Sequence, residues 1–186
     1  MKITEKHRIR DLARLGFILK HDAKFMEKIG EQGLPEIIFN EKVRHPAEIP
    51  LQYIIISWDT KDDSQWLNVT GKAFGLKGDI NNYPMIDFLR LSVELSRESE
   101  KAANAFKTLK REIKDERLRK AIEGMQTSPR AIFVEIMQLS NGAYTQDAAA
   151  DLGWVAAFDI LQKAVNEYDR QLAQTQIMEE DMKNGK

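Results

Sequence analysis

The chain has 186 residues, no cysteine, and 28 basic against 29 acidic side chains, for a net charge of −1. That length predicts one domain of the usual ~100–200 residues, and the missing cysteines exclude disulfides, zinc–thiolate sites, iron–sulfur clusters and thiol catalysis. With the total charge near zero, electrostatic recognition has to come from local patches. No stretch approaches the ~20 apolar residues of a membrane span, and Met1-Lys-Ile-Thr-Glu-Lys lacks the apolar run of a signal peptide. The expectation is a soluble, cytoplasmic chain with no membrane contact. Charged residues make up 31% of the sequence, above the typical ~25%, which suits a helical protein with a solvated exterior.

Residues 1–33 predict an N-terminal helix, with Ile9, Leu12, Ala13, Phe17, Ile18, Phe25 and Ile29 as its apolar positions and Gly30, Gly33 and Pro35 ending it. Residues 34–83 form the least helical part, holding Pro35, Pro46 and Pro50 and ending just before Pro84. Leu51–Trp58 is a short run rich in β-branched and aromatic residues, equally readable as a buried strand or as an apolar helical turn. With Asp59–Asp63 as a turn and Trp66–Thr70 as a return, the segment predicts a small β-hairpin within an irregular insertion.

Two features of this insertion invite chemistry. Asp59, Asp62, Asp63 and Asp79 are oxygen ligands of the kind hard cations need, but the calcium-loop pattern of a central glycine and a closing glutamate is missing, and turns are rich in aspartate anyway. Gly71-Lys-Ala-Phe-Gly-Leu-Lys-Gly78 interleaves glycines and lysines. It lacks the closing Lys-Ser/Thr of a phosphate loop and is expected to be a flexible connection.

From Pro84 the chain turns helical. Phe88, Leu91, Leu95, Ala102, Phe106, Leu109 and Ile113 recur at three- and four-residue steps, placing Ser92, Glu94, Arg97, Glu98 and Glu100 outside. A shorter helix over 115–125 is followed by Ser128-Pro129, serine at N-cap and proline at N1. The next helix, with Ile132, Phe133, Val134, Ile136, Met137 and Leu139, is apolar nearly all round and is expected to be the most buried.

After Asn141-Gly142, residues 144–180 predict a long C-terminal helix. Trp154, Phe158, Leu161, Val165, Tyr168 and Leu172 follow at steps of four and three and share one stripe. At a rise of ~1.5 Å per residue such a helix spans roughly 50 Å, more than a compact domain of this size needs. Residues 145–161 faintly resemble a helix-turn-helix with Gly153 at the turn, but that register buries Asp159, whereas an uninterrupted helix violates nothing.

Lys107, Lys110, Arg111, Lys114 and Arg117 form a basic stripe at helical spacing, extended by Arg119 and Lys120. Between 107 and 120, seven basic residues face three acidic ones, while residues 142–186 hold eight acidic and four basic. A basic stripe can follow nucleic-acid phosphates or an acidic protein face; its own acidic neighbours also pair with it weakly. His7, His21 and His45 lack metal-ligand spacing, no Glu-x-x-His pair occurs, and there is no Gly-x-Ser-x-Gly. No cofactor motif appears.

The sequence therefore predicts a mainly α protein, one domain over 1–186, as a bundle of about five helices with an irregular or β-hairpin insertion and a long C-terminal helix. The expected function is that of a non-catalytic adaptor or assembly subunit, meeting a protein partner or a second copy through the 154–172 stripe. A nucleic-acid role for the 107–120 stripe stands second, and an enzyme with a carboxylate site third.

Overall fold

A computed structural model of the chain describes residues 6–11, 23–109, 131–140 and 142–183. Residues 6–11 are not α-helical as expected, and the part of the expected helix with Leu12, Ala13, Phe17 and Ile18 lies outside the described residues. Arg8 forms a bridge with Pro84, followed by a 3-10 turn over Ile9–Asp11. The main-chain carbonyl of His7 accepts from the amide of Met85 at 3.0 Å, and the amide of Ile9 donates to the carbonyl of Tyr83 at 3.3 Å. Helix α1 covers Ala23–Gly30.

A two-strand antiparallel hairpin follows, β1 (Ile37–Ile38) with β2 (Glu41–Lys42), Ile38 opposite Glu41. Phe39 and Asn40 join them, both with positive φ (51° and 66°), the backbone of a two-residue hairpin turn. Asparagine takes this conformation readily; phenylalanine is strained in it. Its ring is held edge-on against Tyr83, 6.0 Å between centroids.

The expected hairpin over 51–70 is instead a pair of helices, α2 (Leu51–Asp59) and α3 (Asp63–Ala73). In α2, Leu51, Ile54, Ile55 and Ser57 are buried, so burial at helical spacing overrides the β preference of the run. The start of α3 is capped by Asp62, which accepts from the amide of Gln65 at 2.9 Å. Its end is closed by Gly75 at φ +78°. The amides of Leu76 and Gly75 return to the carbonyls of Gly71 and Lys72 at 2.9 and 3.1 Å, a left-handed glycine cap.

Helix α4 (Met85–Thr108) is the centre of the molecule, with α1, α2, α3 and the last helix packed on it. Phe88, Leu91, Leu95 and Ala102 are buried as their spacing requires, but so are Ser92 and Glu98, which were expected outside. Helix α5 (Ala131–Leu139) buries Phe133 and Ile136 on one face. It leaves Leu139 42% exposed, so α4 and not this apolar helix is the most deeply buried.

The C-terminal helix is divided. A six-residue helix α6 (Gln146–Asp151), capped by Thr145, is separated at Leu152–Gly153 from α7 (Trp154–Lys183), 30 residues long. At the break, Gly153 bridges Pro50. The amides of Leu51 and Trp154 donate across the bridge to the carbonyls of Leu152 and Ile49, at 2.8 and 2.9 Å. A β-carbon on Gly153 would lie 2.9 Å from the carbonyl oxygen of Ala47, which is why glycine stands there. The uninterrupted helix expected from 144 is thus corrected: close backbone contact with 47–51 breaks it. Asp159 is exposed, so the buried position that a helix-turn-helix needs is not formed.

Among the described residues there are seven α-helices; of the five expected, the one over 115–125 lies outside the described residues, while 51–73 adds two and the split of the last helix adds one. No helix of the described residues is long and apolar enough to cross a membrane.

Candidate functional site

The first turns of α7 are fixed by a polar contact inside the core. The indole N–H of Trp154 donates to Oε2 of Glu98 at 3.0 Å, and Nζ of Lys101 donates to Oε1 of the same carboxylate at 2.5 Å. Glu98 is buried, while the Lys101 side chain is 61% exposed. The hydrogen bond to Glu98 raises the Lys101 pKa above its ordinary value. Beside this pair the hydroxyls of Ser57 and Ser99 are hydrogen-bonded, and the indole N–H of Trp58 donates to the carbonyl of Ser99 at 3.1 Å. An aromatic series then links three helices. Trp58 of α2 stands edge-on to Phe106 of α4 at 6.4 Å, and Phe106 edge-on to Phe158 of α7 at 5.8 Å.

Beyond this anchor the character of α7 changes. Ala157 and Leu161 are buried and Phe158 and Val165 partly so, but every residue from 166 to 183 is exposed. Those eighteen residues extend about 27 Å at ~1.5 Å each. The six-residue stripe is therefore divided. Trp154 and Leu161 are buried in the protein's own core, whereas the rest of the stripe is partly or largely exposed. Tyr168 and Leu172 are 54% and 46% exposed, joined by Ile177, Met178 and Met182 at 59%, 61% and 76%.

Of those last three, only Met182 continues the steps of three and four, which run on from Leu172 through Thr175 and Glu179, a heptad spacing with two polar members; Ile177 and Met178 lie off it. Arg170 and Glu167 pair at 3.0 Å on the surface of the arm.

Of the basic stripe, Lys107 is exposed near the end of α4, its Nζ 3.4 Å from Oδ1 of Asn104. Lys110, Arg111, Lys114 and Arg117 lie outside the described residues, as do the helix expected over 115–125 and the Ser128-Pro129 cap.

Two of the insertion's aspartates have structural employment: Asp62 caps α3, and Asp79 accepts from the amide of Asn81 at 3.0 Å. No group of three or more potential metal ligands occurs among the described residues.

The glycine–lysine stretch does present converging amides, but they hold the protein's own carboxylate. The amides of Lys77 and Gly78 donate to Glu41 at 2.6 and 3.0 Å, and the Tyr83 hydroxyl donates to it at 2.9 Å. These bonds, the Lys77 amide foremost, hold the Glu41 carboxyl below the usual carboxylate range. Burial first, and then Glu41, push the Tyr83 hydroxyl up. An open depression of about 1070 Å³ lies between the hairpin and α4. Lys42, Arg44 and Arg97 on its walls are matched in number by Glu36, Glu48 and Glu94, so it favours neither sign of charge.

The arm of α7 thus gathers five exposed apolar side chains, Tyr168, Leu172, Ile177, Met178 and Met182, on one helix. Comparison with protein families, with characterised proteins and with solved structures finds no significant match, so the functional reading rests on this geometry.

Proposed function

We propose that the protein is an assembly or adaptor subunit that docks a partner protein helix on the distal half of α7. The observation that carries this reading is the unbroken exposure of residues 166–183 on a helix whose first three turns are locked into the core. Most helices in proteins are stabilised by packing an apolar face, and an unsupported helix of this length is marginal in water. Leu172, Met178 and Met182 are apolar side chains at a helix surface, and covering them with a second helix removes them from water. The core-bound half of α7 serves this role by fixing the direction in which the arm leaves the body.

The test compares wild type with the double substitution Leu172→Asp, Met182→Asp, in native-mass measurements on cell extract and on purified protein. The expected result is a species above 21.4 kDa for wild type that the double variant no longer forms, with helix content and melting temperature of the body unchanged. Wild type and variant both running as monomers in extract and in purified form would refute the proposal.

A further inference from the structure

We infer that the occupant of the arm is a second copy of this chain, lying antiparallel over residues 172–182. The inference rests on the reading of α7 as a docking helix and names its partner. The seam positions Leu172, Thr175, Glu179 and Met182 read apolar, polar, polar, apolar. In an antiparallel pair with its two-fold axis level with Ile177, Leu172 of each chain meets Met182 of the other. Thr175 of each chain then meets Glu179 of the other. Apolar groups are matched with apolar groups, and a hydroxyl with a carboxylate that lacks any hydrogen bond or ion pair among the described residues.

The Thr175 hydroxyl now donates to the carbonyl of Gln171 at 3.0 Å. Turning it to the facing carboxylate replaces a neutral acceptor by a charged one, a stronger bond. Such a contact is isologous, the same patch used on both chains, as closed dimers require.

The parallel alternative fails on the same residues. It sets Glu179 against Glu179 of the second copy inside the seam and brings two runs of Glu179, Glu180 and Asp181 together at one end. It also places both globular bodies side by side, whereas the antiparallel pair sends them to opposite ends. The seam covers eleven residues, about 16 Å of helix. A contact of that length falls below the roughly 1,200 Å² of a stable interface, so the dimer is weak and concentration-dependent.

The substitution Thr175→Lys separates the two orientations. In the antiparallel seam it places an ammonium against Glu179 twice per dimer, while in a parallel seam it opposes lysine to lysine. Sedimentation equilibrium of the full chain across a wide concentration range is the measurement, at low and at high salt. The expected result is a reversible wild-type dimer that Thr175→Lys tightens roughly three- to tenfold at low salt, with the gain lost at high salt. Helix content unchanged by circular dichroism shows that the variant folds.

A dimer weakened or unchanged by Thr175→Lys overturns the inference. So does a monomer at every concentration. If that monomer nevertheless enters a larger complex in extract that depends on Leu172 and Met182, the docking reading stands and only self-pairing is wrong.

Discussion

Replacing Glu98 by alanine tests whether the anchor of α7 is the hydrogen bond inside the core. The side chain of Glu98 is 6% exposed and accepts the Trp154 indole N–H at 3.0 Å. Without it that N–H is left buried with no acceptor, a loss of about 1–3 kcal/mol. The removed methylenes leave a small void that adds about 1 kcal/mol. The Lys101 ion pair contributes little, because a mostly exposed partner is screened to ~0–1 kcal/mol, and relief of the carboxylate's desolvation offsets part of the total. The net expectation is a destabilisation of about 2–4 kcal/mol, read as a shift in the urea midpoint by circular dichroism at neutral pH. Glu98→Gln keeps a carbonyl oxygen facing the indole and is expected to lose only about 1 kcal/mol. Hydrogen exchange in the first turn of α7 should accelerate more in the alanine variant than in the glutamine one. An alanine variant within ~0.5 kcal/mol of wild type would refute the reasoning. So would two variants equally damaging, since the Lys101 pair would then outweigh the indole bond.

Two further outcomes follow from contacts elsewhere. Because the Glu41 carboxyl is held below its ordinary value of 4.5, first by the Lys77 amide, it contributes stability present above that pH and lost as pH falls through the lowered value. Glu41→Gln should therefore be less stable than wild type at neutral pH but lose less on acidification below pH 4.5, as followed by thermal melts at several pH values; parallel acid limbs would contradict this. Gly153→Ala brings a β-carbon to 2.9 Å from the Ala47 carbonyl oxygen, a backbone atom that cannot rotate away. A destabilisation of about 1–3 kcal/mol is expected by calorimetry, and an unchanged or raised melting temperature would show that the bridge to Pro50 does not constrain the break.

Helix α4 and the helical character of α7, though not where α7 begins, were legible because their apolar residues recur at three and four over several turns, and that period is set within the segment itself. The long exposed arm was legible in the same way, as a stripe longer than one small body can cover. The Asp62–Gln65 cap of α3 was also written in the sequence, an aspartate followed three residues later by a glutamine, but the β-branched run before it drew the reading toward a hairpin. What the sequence did not determine are the contacts that join distant segments. Glu98 is charged and sits at a position that periodicity places outside; it is buried because Trp154, 56 residues away, presents an indole N–H to it. Glu41 and Tyr83 are 42 residues apart, and only the folded chain turns the glycine–lysine loop into a holder for a carboxylate. Gly153 within a helical pattern costs about 1 kcal/mol on its own, too little to end a helix. The backbone of 47–51 lying against it decided that break, and with it which half of the C-terminal stripe enters the core and which half stays in water.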